Sequence, residues 1–113
     1  MHNIVRSNDM ILGFPHDVGG FAFLQYILAA RLGVKVGKYT HSISNAHVYD
    51  IHYEVARELI GRKNDHEEIK LVPKKEWLER AEEAEVTLAE EIVEQIKSQY
   101  KPMSPIEGLQ IVL

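Results

Sequence analysis

The sequence predicts an α/β domain, or α+β in its looser form, and three observations predict it. Short, partly apolar stretches sit where strands would enter a core. A fifteen-residue run, GGFAFLQYILAARLG, is apolar on almost every face, as a buried helix is. From Trp77 onward, apolar residues recur at intervals of three and four. Strands interspersed with buried and amphipathic helices give that fold class.

Asn3 to Arg6 reads as a strand. Asp9 to Pro15 reads as a loop, because Pro15 restricts Phe14 to extended conformations and Gly13 permits unusual backbone angles. Asp17 then stands where a helix N-cap belongs, and the apolar run follows, with Phe21, Phe23, Leu24, Ile27, Leu28 and Leu32. Gly33 ends that helix. Val34 to Ile43 is predicted extended, with a turn at Gly37. Tyr49 to Ile60 returns to helical spacing, with Ile51, Val55 and Leu59 on one face. Ile69 to Val72 is predicted to be a strand closed by Pro73. Lys74 to Tyr100 is predicted to be a long amphipathic helix, broken near Val86 and Thr87, whose charges form a solvated face. The tail, KPMSPIEGLQIVL, is loop with a short apolar end suited to a strand or a docking segment.

With 113 residues the chain has room for one domain. Residues 1–61 form an apolar part with five of the six histidines, and residues 62–113 a charged helical part. A net charge of −4 gives no sequence-independent grip on a nucleic-acid backbone. No apolar run approaches the roughly 20 residues of a membrane span. The N-terminus, MHNIVRSND, lacks the apolar core of a signal peptide, so a cytoplasmic location is expected. The chain has no cysteine, which excludes disulfides, thiolate metal sites and cysteine nucleophiles within it.

The chemistry concentrates in RSNDMILGFPHD, Arg6 to Asp17, and in SNAHVY, Ser44 to Tyr49. Arg6 offers a planar fork of donors and Ser7 a hydroxyl, a pair suited to a phosphate monoester. His47 and His52 are five apart and no carboxylate joins them at ligand spacing, so no metal site is expected. His16 can stack or hydrogen-bond, and His2 and His66 read as surface residues.

From Ile4 to Tyr53 the succession of motifs resembles the thymidylate synthase and deoxynucleotide (dCMP) hydroxymethylase family, in its C-terminal nucleotide-binding part only. The resemblance implies a partial thymidylate-synthase-like fold, with a mixed sheet. It implies that Arg6 and Ser7 hold the nucleotide phosphate, and that His47 and Tyr49 hold the 3′-hydroxyl of the sugar. Asp9 falls on the aspartate that approaches the pterin of 5,10-methylenetetrahydrofolate and supports a proton network. Gly13 falls on a glycine that lets the backbone approach that cofactor. Asp17 stands where thymidylate synthases carry an asparagine that pairs with the base, and the hydroxymethylases an aspartate. A carboxyl group accepts from the cytosine N4 amino group and, when protonated, donates to N3, so Asp17 tilts the reading towards cytosine; uracil stays open.

In the family, the nucleophilic cysteine lies upstream of this motif, in a segment the chain does not contain, and arginines of a second subunit complete the phosphate site. The resemblance therefore implies part of a pyrimidine-nucleotide C5 methyl- or hydroxymethyltransferase, inactive alone. Its partners would be a pyrimidine nucleoside monophosphate and a second copy or the missing N-terminal part. A free-standing, non-catalytic nucleotide-binding or oligomerisation module is the alternative.

Overall fold

The computed structural model describes residues 1–111. The order is strand β1 (His2–Asp9), helix α1 (Gly13–Leu32), strand β2 (Thr40–His47), a 3₁₀ turn at Asp50–His52, then helices α2 (Tyr53–Gly61), α3 (Trp77–Glu82) and α4 (Val86–Lys97). β1 and β2 pair in parallel, with α1 as the crossover between them. The described residues hold this parallel pair in place of the expected mixed sheet.

The chain divides into two compact units. One comprises 1–22, 38–64 and 104 onward; the other comprises 23–37 and 65–103. In the first, the register sets Ser7 opposite Asn45, Asn8 opposite Ala46 and Asp9 opposite His47. The strand runs on past Arg6 to Asp9, so the whole RSND motif lies on β1.

α1 begins four residues before Asp17, which is therefore inside the helix and not at its N-cap. Asp9 closes the turn that precedes α1: its Oδ1 accepts from the Ile11 amide at 3.0 Å and its Oδ2 from the Leu12 amide at 3.3 Å. Pro15 is tolerated because the first helical turn has no intrahelical partner for its N–H groups. In the same unit the tail is tied down at two points. His52 donates from Nε2 to the Gln110 carbonyl at 2.9 Å, and Arg62 donates to the Ser104 carbonyl at 2.8 Å. Residues 100–111 have no regular structure, and the rest of the predicted apolar end, 112–113, lies outside the described residues.

The second unit packs Ile27, Trp77 and Leu88 at its centre, with Phe23, Leu71, Leu78 and Ile92 against them. Trp77 is fully buried. Of the apolar run, only Ile27 and Ala29 are buried; Leu24, Leu28 and Leu32, spaced by four, remain exposed. The expected long helix is two helices, interrupted at residues 83–85, where Ala84 adopts a positive φ of 53°. The break falls just before Val86, and Arg80 spans it by pairing with both Glu85 and Glu91.

No strand forms at Ile69–Val72. The backbone there pairs instead with the side chains of Gln95 in α4 and of Gln99, just past its end. Gln99 accepts from the Lys70 amide at 2.9 Å and donates to its carbonyl at 3.0 Å; Gln95 does the same for Val72 at 3.0 and 3.2 Å. Two residues of extended chain advance about 6.6 Å and four of helix about 6.0 Å, so the spacings match. The two amides imitate a neighbouring strand, and Leu71 between them packs against the core.

Candidate functional site

The residues singled out from sequence gather at the C-terminal ends of β1 and β2. Ser7 is the centre of one group. Its Oγ accepts from Asn45 Nδ2 at 3.2 Å and stands 3.5 Å from His47 Nδ1. The His47 and Tyr49 rings meet edge to face with centroids 5.2 Å apart, and Tyr49 meets His52 in the same way at 6.2 Å. Ser7, His47 and Tyr49 are all partly covered, and Asn45 is exposed. A hydroxyl, an imidazole and a phenol thus converge, which suits a ligand with several hydroxyl or phosphate oxygens.

Arg6 is exposed and makes no hydrogen bond or ion pair among the described residues. The pleat turns it away from Ser7, onto the face that also exposes Ile4. Adjacency in sequence therefore does not place the two side chains together.

Asp17 belongs to a second group. Its Oδ2 accepts from Asn8 Nδ2 at 2.7 Å. Asn8 is 5% exposed, and its Oδ1 lies 3.2 Å from His41 Nε2. His41 Nδ1 in turn lies 2.7 Å from the Tyr39 hydroxyl and 3.4 Å from Asn3 Nδ2, and Phe14 packs edge to face on the His41 ring. Tyr39, His41, Asn8 and Asp17 form one continuous chain of hydrogen bonds. Sequence reasoning assigned no role to Asn8, Tyr39 or His41. Asn8 is the third residue of RSND, and its burial is the signal that the sequence did not carry.

Gly13 closes over the same asparagine. A Cβ there would stand 3.1 Å from Asn8 Nδ2, so a side chain at this position would press on Asn8 and require it to shift by a few tenths of an ångström. His16 is exposed and donates from Nδ1 to the Leu12 carbonyl at 2.8 Å, one turn back along α1. Among the described residues, no cluster of three or more histidine or acidic side chains is placed to hold a metal ion. No helix among them is long and apolar enough to cross a membrane.

The family model described as thymidylate synthase matches residues 1–108. The chain belongs to the thymidylate synthase family. Its α/β architecture is consistent with part of the fold of that family. Curated relatives include thymidylate synthases of Listeria monocytogenes serotype 4a (strain HCC23) and serotype 4b (strains CLIP80459 and F2365). Each is 36% identical over 57 residues, which is 50% of this chain and 18% of the relative. The chain thus spans about a fifth of the length of the curated relatives it matches. No solved structure matches it.

Proposed function

We propose that this chain is the nucleotide-binding portion of a pyrimidine-nucleotide C5 methyl- or hydroxymethyltransferase, cytoplasmic and selective for a cytosine nucleotide. Ser7 and Arg6 would hold the phosphate, and His47 and Tyr49 the sugar hydroxyl. Asp17 would read the base. The observation that carries the reading is the register of β1 on β2, which sets Ser7 opposite Asn45 and draws His47 and Tyr49 to one place.

Asp9 has the capacity to meet a pterin ring. Each of its carboxylate oxygens accepts one backbone N–H and keeps a further lone pair. Gly13 supports this less, because Asn8 accounts for it. When bound, 5,10-methylenetetrahydrofolate supplies the one-carbon unit. This chain's own contribution is to bind and orient the nucleotide. It offers no thiolate to attack the pyrimidine ring, so it would be inactive alone.

The alternative, a non-catalytic nucleotide-binding or oligomerisation module, is favoured by the exposed Leu24, Leu28 and Leu32. Such a stripe needs a cover, from a second copy or from the remainder of a family domain. Calorimetric titration of dCMP, CMP, dUMP and dTMP into the chain tests the main reading. Binding of dCMP in preference to dUMP, reversed by Asp17→Asn, supports it. Absence of binding at millimolar nucleotide excludes an assembled site in this chain. Equal preference in both forms removes Asp17 from base reading.

A further inference from the structure

We propose that Asn8, set by His41, is the specificity-determining positioning residue of this site: it dictates which oxygen of Asp17 can carry a proton. The inference rests on the proposed base-reading role of Asp17 and goes beyond it.

A carboxylic acid is a poor discriminator by itself. Protonated on one oxygen it offers a donor and an acceptor; protonated on the other, it offers the same pair reversed. Cytosine presents an N3 acceptor beside an amino donor, and uracil an N3–H donor beside an O4 acceptor. A free acid can therefore match either ring by moving its proton. Discrimination requires that one of the two protonated forms be removed.

The network around Asn8 does this. Two arrangements of it are self-consistent. In the first, Asn8 Nδ2 donates to Asp17 Oδ2, His41 donates from Nε2 to Asn8 Oδ1, and Tyr39 donates to His41 Nδ1. In the second, the amide is flipped, Asp17 carries its proton on Oδ2, and His41 is protonated on Nδ1. An amide flip and a histidine tautomer thus move together with the acid proton.

Asn3 bears on the choice. With its Nδ2 turned to His41, 3.4 Å from Nδ1, it shares the lone pair to which Tyr39 also donates and matches the first arrangement, the one this proposal takes. A flipped Asn3 amide matches the second, and the His41 tautomer decides between them. In the first arrangement Oδ2 of Asp17 is an obligate acceptor, and any proton on the group resides on Oδ1. Asn8 is held at 2.7 Å from Asp17 on one side and 3.2 Å from His41 on the other, and a Cβ at Gly13 would already crowd its Nδ2. It has little room to turn. Oδ2 keeps its second lone pair for a ligand N–H, so the acid presents one donor and one acceptor in one fixed order.

The test combines a ligand-free and a ligand-bound measurement on the full chain. Nitrogen-15 shifts of the His41 ring report its tautomer, which a purely packing role for Asn8 leaves undefined. The Nε2–H form is expected, and an Nδ1–H form overturns the proposal whatever the nucleotide results. Calorimetry with dCMP and dUMP is then compared for the parent chain, Asn8→Leu, Asn8→Asp and Asp17→Asn, with circular dichroism as the check on folding. Asn8→Leu should reduce a discrimination of about tenfold or more to near parity, because the proton is freed to either oxygen. Asn8→Asp, of the same shape but without the donor, should do likewise or reverse the preference. If Asp17→Asn changes the preference while both Asn8 variants keep it, Asp17 reads the base unaided and this proposal fails alone. If Asp17→Asn leaves the preference unchanged, or no nucleotide binds, the base-reading role and this proposal fail together.

Discussion

Asn8 donates to Oδ2 of Asp17 across 2.7 Å, from the penultimate residue of a strand to the second turn of the helix that follows it. The bond ties the third residue of RSND to the carboxyl group nine residues further along the same stretch. It also explains why Asp17, set inside α1, does not cap it: the side chain is turned towards the strand and its acceptor is engaged there.

Gly13→Ala probes that bond from the outside. Alanine in a helix is favoured over glycine by up to about 1 kcal/mol. Against this, the new Cβ would meet Asn8 Nδ2 at 3.1 Å, and Asn8 is pinned by two partners. Losing one hydrogen bond to a charged group costs about 1.5–3 kcal/mol, so the sum is destabilising. Chemical denaturation should show a lower midpoint with an unchanged m-value. A raised midpoint would mean that Asn8 yields freely.

Trp77 is the only tryptophan of the chain and is fully buried against Phe23, with ring centroids 6.3 Å apart. Trp77→Phe should lower stability less than Trp77→Ala, which should cost about 3–5 kcal/mol. Thermal unfolding by circular dichroism measures both. An alanine variant within 1 kcal/mol of the parent, on the scale of a surface substitution at about 0.5 kcal/mol, would show that this core does not hold the unit together.

Glu91 lies between Lys74 and Arg80, at 2.6 Å from each, and accepts from Trp77 Nε1 at 3.3 Å. The bonds from Lys74 and Arg80 hold its pKa down, from 4.5 to about 2. A carboxylate with a lower pKa folded than unfolded stabilises fully above the unfolded value and loses that contribution as pH falls through the folded one. The stability difference between the parent and Glu91→Gln should therefore be largest above pH 4.5 and vanish towards pH 2. Trp77 fluorescence follows the transition directly. A difference that stays constant from pH 6 to about 2 would remove the ionised group as its cause.

Gln95 and Gln99 replace a neighbouring strand for Lys70 and Val72. Each amide makes two bonds to exposed backbone that water can otherwise satisfy, so Gln95→Leu and Gln99→Leu should each cost about 1 kcal/mol. Hydrogen exchange at the Lys70 and Val72 amides should accelerate selectively, each in its own variant. Unchanged exchange at both positions would refute the clamp.

Leu24, Leu28 and Leu32 leave an apolar stripe on α1 uncovered. Sedimentation of the chain should reveal self-association that Leu28→Glu weakens. A chain that remains monomeric across the accessible concentration range would point to a different cover for this face.

Much of the site was legible in the residues, for local reasons. Ser7, His47 and Tyr49 stand close to paired strand ends, and the register that joins them follows from a single βαβ crossover. A helix after Asp17 followed from the run of apolar residues and one over Tyr49 to Ile60 from helical spacing; the observed helices are Gly13–Leu32 and Tyr53–Gly61. The misplaced boundaries have local causes as well. Asp17 does not cap α1, because the helix begins four residues earlier, after a turn in which Asp9 accepts from the Ile11 and Leu12 amides. Ala84 broke the long helix, three residues before Thr87, without any glycine or proline to announce it.

By itself the sequence determined the family, the absence of cysteine from this chain and the set of polar side chains the candidate site can draw on, because these depend on which side chains exist and in what order. Only the tertiary structure decided which of them act together. Hydrogen bonds join atoms by distance and direction, and 33 positions separate Asn8 from His41. No spacing rule connects those two residues. The fold brings them within 3.2 Å, and thereby turns the unassigned letter of a motif into the partner of its most informative carboxyl group.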